Sequence, residues 1–122
     1  MSDKKSPVSG SDRKGETMKF YLSGQISNNP NFMSDFEKAE NTIKTFYPEA
    51  EVINPAKVGN ALPELKHEEY MKISFQLIDM SEVVVMMNGW RLSCGASQEY
   101  GYAHAKGKKI LFINERKMGV FE

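Results

Sequence analysis

From residue 18 onward the apolar positions follow two rhythms, short near-continuous runs and longer stretches with a helical period. Met18 to Ser23 is rich in aromatic and apolar residues and stops at Gly24, which predicts a strand followed by a turn. Asn28, Asn29 and Pro30 break the chain. Phe32, Phe36, Ala39, Ile43 and Phe46 then recur three or four residues apart, one apolar face of a helix. Ser34 and Glu37 offer a capping box near its start, and Tyr47-Pro48 stops it. Glu51 to Asn54 predicts a second short strand ended by Pro55, and Ala56 to Glu64 a loop containing Gly59 and Pro63. A second helix is expected from about Leu65 to Met80. Its apolar residues Tyr70, Met71, Ile73, Phe75, Leu77, Ile78 and Met80 cover most of its circumference, so burial on more than one side is expected. Glu82 to Met87 is a continuous apolar run, as in a central parallel strand covered on both faces. Asn88 to Trp90 turns the chain, Ser93 to Lys106 predicts a third helix ended by Gly107, and Lys109 to Asn114 a fourth strand. The remaining residues read as a short tail.

Strands alternating with helices imply an α/β fold with a parallel sheet. Right-handed crossovers put helices on both faces. The expected architecture is a small flavodoxin- or Rossmann-like three-layer sandwich with four or five parallel strands. Ligands of such folds bind at the carboxyl ends of the strands, where strand order reverses. That rule selects Ser23 to Ser27, Asn54 to Lys57, Asn88 to Gln98 and the residues around Asn114.

Composition narrows the field. The chain has 122 residues, enough for one domain. Residues 1–17 carry Val8 as almost their only apolar side chain beyond Met1, so they read as a disordered leader or tag-like tail, leaving 18–122 as the domain. Sixteen basic residues balance sixteen acidic ones. A sequence-independent binder of DNA or RNA needs surplus positive charge, so no nucleic-acid polymer is expected as a partner. Nothing in the chain resembles a membrane span or a signal peptide, so a cytoplasmic protein without a membrane partner is expected. Cys94 is the sole cysteine, and His67 and His104 are the two histidines. An internal disulfide is excluded, and no metal site or cofactor is expected.

The third crossover, Asn88-Gly-Trp-Arg-Leu-Ser-Cys-Gly-Ala-Ser-Gln-Glu99, carries the most chemistry. N–H groups at the helix start, with Ser93 and Ser97, suit an anion such as a phosphate. Glu99 lies about one turn inside and can point back to the same pocket, as a nucleophile or base facing a sugar or simply as a solvated residue near a favourable dipole end. The first crossover, with Ser23, Gly24, Gln25 and Ser27, can add phosphate or ribose contacts, although many strands end in such a turn. Trp90 reads either as a lid that stacks on a base or as cover for the sheet edge. Cys94 sits at a helix start, where a thiol pKa falls, but has no evident His partner. His104, five residues past Glu99, lies on another face. His67, Glu68 and Glu69 read as a polar first turn, and Met80, Met86 and Met87 as core.

Gly95-Ala-Ser-Gln-Glu99-Tyr-Gly-Tyr-Ala-His-Ala-Lys-Gly-Lys108 resembles the signature of the nucleoside 2-deoxyribosyltransferases, and Tyr21-Leu-Ser-Gly24 is similar to their first strand and loop. The stretch from Met18 to about Asn114 looks like their small, often phage-associated relatives. In those a Gly-Trp-x-x-Ser-x-Gly-Ala-x-x-Glu run is typical, matched here by Gly89, Trp90, Ser93, Gly95, Ala96 and Glu99. The resemblance implies that Glu99 attacks the anomeric carbon of a nucleoside or nucleotide, that Tyr21 positions it, and that a glycosyl-enzyme is resolved by a second base or by water, in parallel with retaining glycoside hydrolysis. It also implies a bacterial or phage-infected setting. Two positions depart from the pattern. Ser93 stands where the transferases carry an Asp; the related deoxynucleoside 5′-monophosphate N-glycosidases have Ser there, on the 5′-phosphate. Ser74 stands where both branches carry an Asp that orients substrate and assists base departure, and losing a general acid typically costs about a hundred- to ten-thousand-fold.

Three functions are expected: an N-glycosidase or deoxyribosyltransferase-like enzyme using Glu99; a nucleotide- or nucleotide-signal-binding protein whose chemistry is weak or lost; or a different Glu-dependent glycosidase such as an NAD-cleaving enzyme. The expected partner is a small-molecule nucleotide or nucleoside. The apolar second helix predicts a homodimer or higher oligomer.

Overall fold

The structure, a computed structural model, describes residues 18–57, 65–114 and 119–121. The leader-like segment 1–17 and most of the loop expected before the second helix lie outside the described residues. The elements are β1 (Lys19–Ser23), α1 (Phe32–Phe46), β2 (Glu51–Ile53), α2 (His67–Asp79), β3 (Val83–Met86), a 3₁₀ turn (Trp90–Leu92), α3 (Cys94–Ala105), β4 (Lys109–Asn114) and β5 (Gly119–Phe121).

The sheet order is β2-β1-β3-β4-β5. The first four strands are parallel, with Phe20 beside Val52 and Val83, and Val84 beside Ile110. β5 pairs antiparallel with β4, Ile113 opposite Val120. The expected tail therefore returns as a three-residue edge strand. This is a Rossmann/flavodoxin-like α/β fold, and its topological switch falls between β1 and β3.

Alternation along the strands sorts the core into two layers. Phe20, Leu22, Val83, Val85, Leu111 and Ile113 meet Phe36, Ala39 and Ile43 of α1 on one face. Tyr21, Val84 and Met86 meet Ile78 of α2 and Ala96 and Ala103 of α3 on the other. Every residue of β3 is buried, as a strand covered on both faces requires. Phe36 and Ile43 are fully buried, each contributing about 1.5–3 kcal/mol by transfer.

α1 starts at Phe32 after Asn31, so Ser34 lies within its first turn and the expected Ser34–Glu37 box does not form its start. A half-box occurs instead at α2, where Glu69 Oε1 accepts the Lys66 N–H at 3.0 Å. Ser93 caps α3, its Oγ accepting the Ala96 N–H at 3.1 Å. On α2, Met71, Ser74 and Ile78 are buried against the sheet, and Phe75 stacks on Tyr102 of α3 with ring centroids 4.3 Å apart. Much of the apolar circumference of α2 is thus used within one chain, while Met80 remains exposed. Among the described residues, no helix is long and apolar enough to cross a membrane.

Candidate functional site

β1 ends with Tyr21 and Ser23 on the α2–α3 face, because Phe20 and Leu22 take the α1 face. α3 presents Ala96, Glu99 and Ala103 to that face at helical spacing. The two alanines let the helix approach the sheet closely, and Glu99 between them is carried into the interior, 5% exposed. Both carboxylate oxygens are held. Tyr21 Oη donates to Oε2 at 2.9 Å and Ser23 Oγ to Oε1 at 2.6 Å. Ser74, buried on α2, interacts through its hydroxyl with both Tyr21 and Glu99. Burial pushes the Glu99 pKa up, and the hydroxyls of Ser23, Tyr21 and Ser74 oppose that rise without cancelling it. Burial, with the Glu99 charge beside it, holds the Tyr21 phenol well above its ordinary value, so it stays a donor.

Glu99 faces a cavity of about 600 Å³ at the carboxyl end of the sheet, within the size range of small-molecule sites. The first crossover supplies Gly24, Gln25 and Ser27 to its wall, and the start of α3 supplies Ser93, Gly95 and Ala96. α2 supplies His67, Tyr70 and Met71, one stripe of the helix that continues to Ser74. Gly24 packs closely on Met87: a Cβ there would lie 2.9 Å from Met87 Sδ and 3.1 Å from Met87 Cβ, so that side chain would have to shift. The first N–H groups of α3 have no helical acceptor by construction, so this wall suits an anion.

The other expected positions fall elsewhere. Gly89, at φ 84°, starts the 3₁₀ turn, and Trp90 stacks on Tyr100 at 4.8 Å with Arg91 over its ring. Both line a separate cleft of about 390 Å³ beside Phe112, so the Gly-Trp pair does not border the Glu99 cavity. Asn54 is committed to Glu40, donating to Oε1 at 3.1 Å, and to its own chain, accepting the Ala56 N–H. Residues 115–118, next to Asn114, lie outside the described residues. Exposed Cys94 accepts from Gln98 Nε2 at 3.2 Å, and the same amide lies 3.3 Å from His67 Nε2. His104 is exposed beside Tyr100. Glu68 and Glu69 do not border the cavity; Glu99 is its sole carboxylate among the described residues. Those residues also hold no group of three or more His, Cys, Asp or Glu side chains placed to bind a metal.

Tyr70 is a cavity residue that sequence reasoning passed over. Its hydroxyl is buried and has no hydrogen-bond partner among the described residues. Burial and the nearby Glu99 charge raise its pKa, so it too stays protonated.

Comparison with known proteins adds two findings. In fold the chain is similar to a Clostridium botulinum CMP N-glycosidase, BcmB, with a TM-score of 0.52 and 20% identity over 77% of this chain and 69% of that one. No curated protein matches it. The model of the family described as "Domain of unknown function (DUF4406)" matches residues 18–112, which takes in the sheet as far as Phe112 in β4, all three helices and every residue around Glu99, and the chain belongs to that family.

Proposed function

We propose that this protein cleaves the N-glycosidic bond of a nucleotide or nucleoside, with Glu99 as nucleophile. The observation that carries this reading is the buried Glu99 carboxylate at the cavity wall, gripped on both oxygens by Tyr21 and Ser23. An ionisable group buried beside a cavity costs stability, and such groups concentrate where chemistry needs them. The fold shared with a protein named as a CMP N-glycosidase supports the substrate class.

In this mechanism a Glu99 oxygen attacks C1′ of the sugar. The C1′–N bond breaks and its electron pair leaves with the base. Water then releases the sugar, or a second base accepts it, as in retaining glycoside chemistry. Tyr21 and Ser23 fix the carboxylate so that little reorientation is needed on the way to the transition state. The α3 start with Ser93 and Gly95 holds a 5′-phosphate, and Gln25 and Ser27 complete that end. The resemblance of Ser93 to the monophosphate N-glycosidases favours nucleotides over nucleosides and hydrolysis over transfer.

Base release from ribo- and deoxyribonucleoside 5′-monophosphates and their nucleosides, followed by chromatography, tests the reading. Wild type releases base from monophosphates, and Glu99→Ala loses about a thousandfold or more, the scale seen when a covalent nucleophile is removed. Equal release by the variant overturns it.

One observation favours a second reading, a nucleotide-binding protein with its chemistry lost. No second carboxylate borders the cavity among the described residues, and by the family resemblance Ser74 stands where an acid is expected. That reading requires a nucleotide to raise Tm with no base released from any substrate.

A further inference from the structure

Breaking a C1′–N bond leaves negative charge on the departing base, which needs a donor where that charge develops. Several side-chain donors around the cavity are committed. Tyr21 and Ser23 donate to Glu99. Gln25 Nε2 donates to the Ser27 carbonyl at 3.2 Å. Gln98 Nε2 is shared between Cys94 and His67 at the exposed rim. Tyr70 differs. Its hydroxyl is buried, has no partner among the described residues, and belongs to a ring that lines the cavity. Tyr70 and Glu99 line the same cavity, and the Glu99 charge acts on the Tyr70 phenol. It also sits one helical turn before Ser74, on the same stripe of α2.

We propose that Tyr70 is a catalytic residue whose hydroxyl, closed off from water in the empty protein, turns into the cavity that its ring lines and donates a hydrogen bond to the base as it departs. This rests on the N-glycosidase reading. As a Glu99 oxygen bonds to C1′, the glycosidic electron pair moves onto the base, and Tyr70 O–H stabilises it without giving up its proton. The base takes its proton from water after release. Burial and the neighbouring carboxylate keep the phenol protonated across the working pH range, which suits a donor and not a proton-transferring acid. A buried hydroxyl without a partner costs stability, so its removal should not harm the empty protein.

Tyr70→Phe tests this with three readouts. The Tm of the ligand-free variant equals or exceeds that of wild type. Its kcat/KM for base release falls about a hundredfold, the scale of losing one donor to developing charge. Its Kd for cytidine 5′-monophosphate, measured in the Glu99→Gln background so that no turnover intrudes, weakens less than tenfold. The kcat/KM deficit shrinks for 5-fluorinated pyrimidine nucleotides, whose bases leave more readily. A clear drop in Tm means that the hydroxyl is bonded within the chain, and overturns the proposal. Wild-type kcat/KM in the variant, or a deficit equal for all leaving groups, also overturns it while leaving the N-glycosidase reading intact. A wild-type protein inert on every nucleotide removes that reading and this proposal together.

Discussion

Glu99 is balanced between two opposing effects, and the balance predicts its behaviour with pH. Burial raises its pKa, and hydroxyls on both oxygens restrain the rise. The proposed nucleophile must be ionised, so activity should fall as pH drops through that raised pKa, with the acid limb above the ordinary carboxylate value of 4.5. Ser23→Ala or Tyr21→Phe removes one donor to the charged form, and a pH profile of kcat/KM should show that limb moved to higher pH. Stability runs the other way. Because the folded pKa exceeds the unfolded one, the stability linked to Glu99 is fully present below the ordinary value of 4.5 and is lost as pH rises through the folded pKa. The neutral Glu99→Gln variant should therefore melt above wild type at pH 7, and thermal melts should show the gap closing towards pH 4. A gap independent of pH would contradict the carboxylate's assigned burial cost.

At the scale of elements, the site depends on where β1, α2 and α3 end. Ser93 fixes the start of α3 through its bond to the Ala96 N–H. Ser93→Ala should cost about 1 kcal/mol of stability, readable by urea unfolding, whereas Ser93→Asp should retain most of it. Gly24 sets how closely the first crossover lies against Met87. Gly24→Ala pushes Met87 aside and displaces the Gln25–Ser27 wall, so nucleotide affinity should fall more than Tm; a loss of Tm alone would show that the crossover does not shape the cavity. Much of this level is legible in the sequence. β3 reads as a central strand because it is apolar without a break, and apolar spacing puts Ala96, Tyr100 and Ala103 on one face of α3, where the structure buries Ala96, Glu99 and Ala103. Tyr70 is not legible as a site residue. Periodicity places it among the apolar positions of α2, but which part of that broad surface meets a cavity depends on how α2 sits across β1. Trp90 misleads for a related reason. Adjacent in sequence to the start of α3, it is turned by the 3₁₀ segment onto Tyr100 and away from the Glu99 cavity. β5 is too short to be told from a tail by pattern, and pairing with β4 is what makes it a strand.

For the whole molecule, the strand order places β1 and β3 side by side with crossovers leaving in opposite directions, which opens the crevice that Glu99 borders. The two-layer core explains why Tyr21 and Ser23, two residues apart, share one face and can hold one carboxylate between them. The oligomeric state depends on a different surface. Stacking of Phe75 on Tyr102 and burial of Met71 and Ile78 satisfy part of the apolar surface of α2, while Met80 and Leu92 stay exposed, Leu92 at the cavity mouth. We propose a homodimer that covers them. Light scattering should give twice the 13.8 kDa chain mass, and Leu92→Glu should shift it towards the monomer. The single mass in the wild type would contradict the proposal.

The measurement that tests Glu99 most directly is the intact mass of the protein after incubation with a 2′-deoxy-2′-fluoro nucleoside 5′-monophosphate. The fluorine destabilises the positive charge that develops at C1′ and slows release of the sugar, so the glycosyl-enzyme accumulates. The predicted result is one fluoropentosyl-phosphate adduct, mapped by peptide sequencing to Glu99 and absent from Glu99→Ala. An adduct on another residue, or undiminished base release by Glu99→Ala, would contradict the assignment of Glu99 as nucleophile.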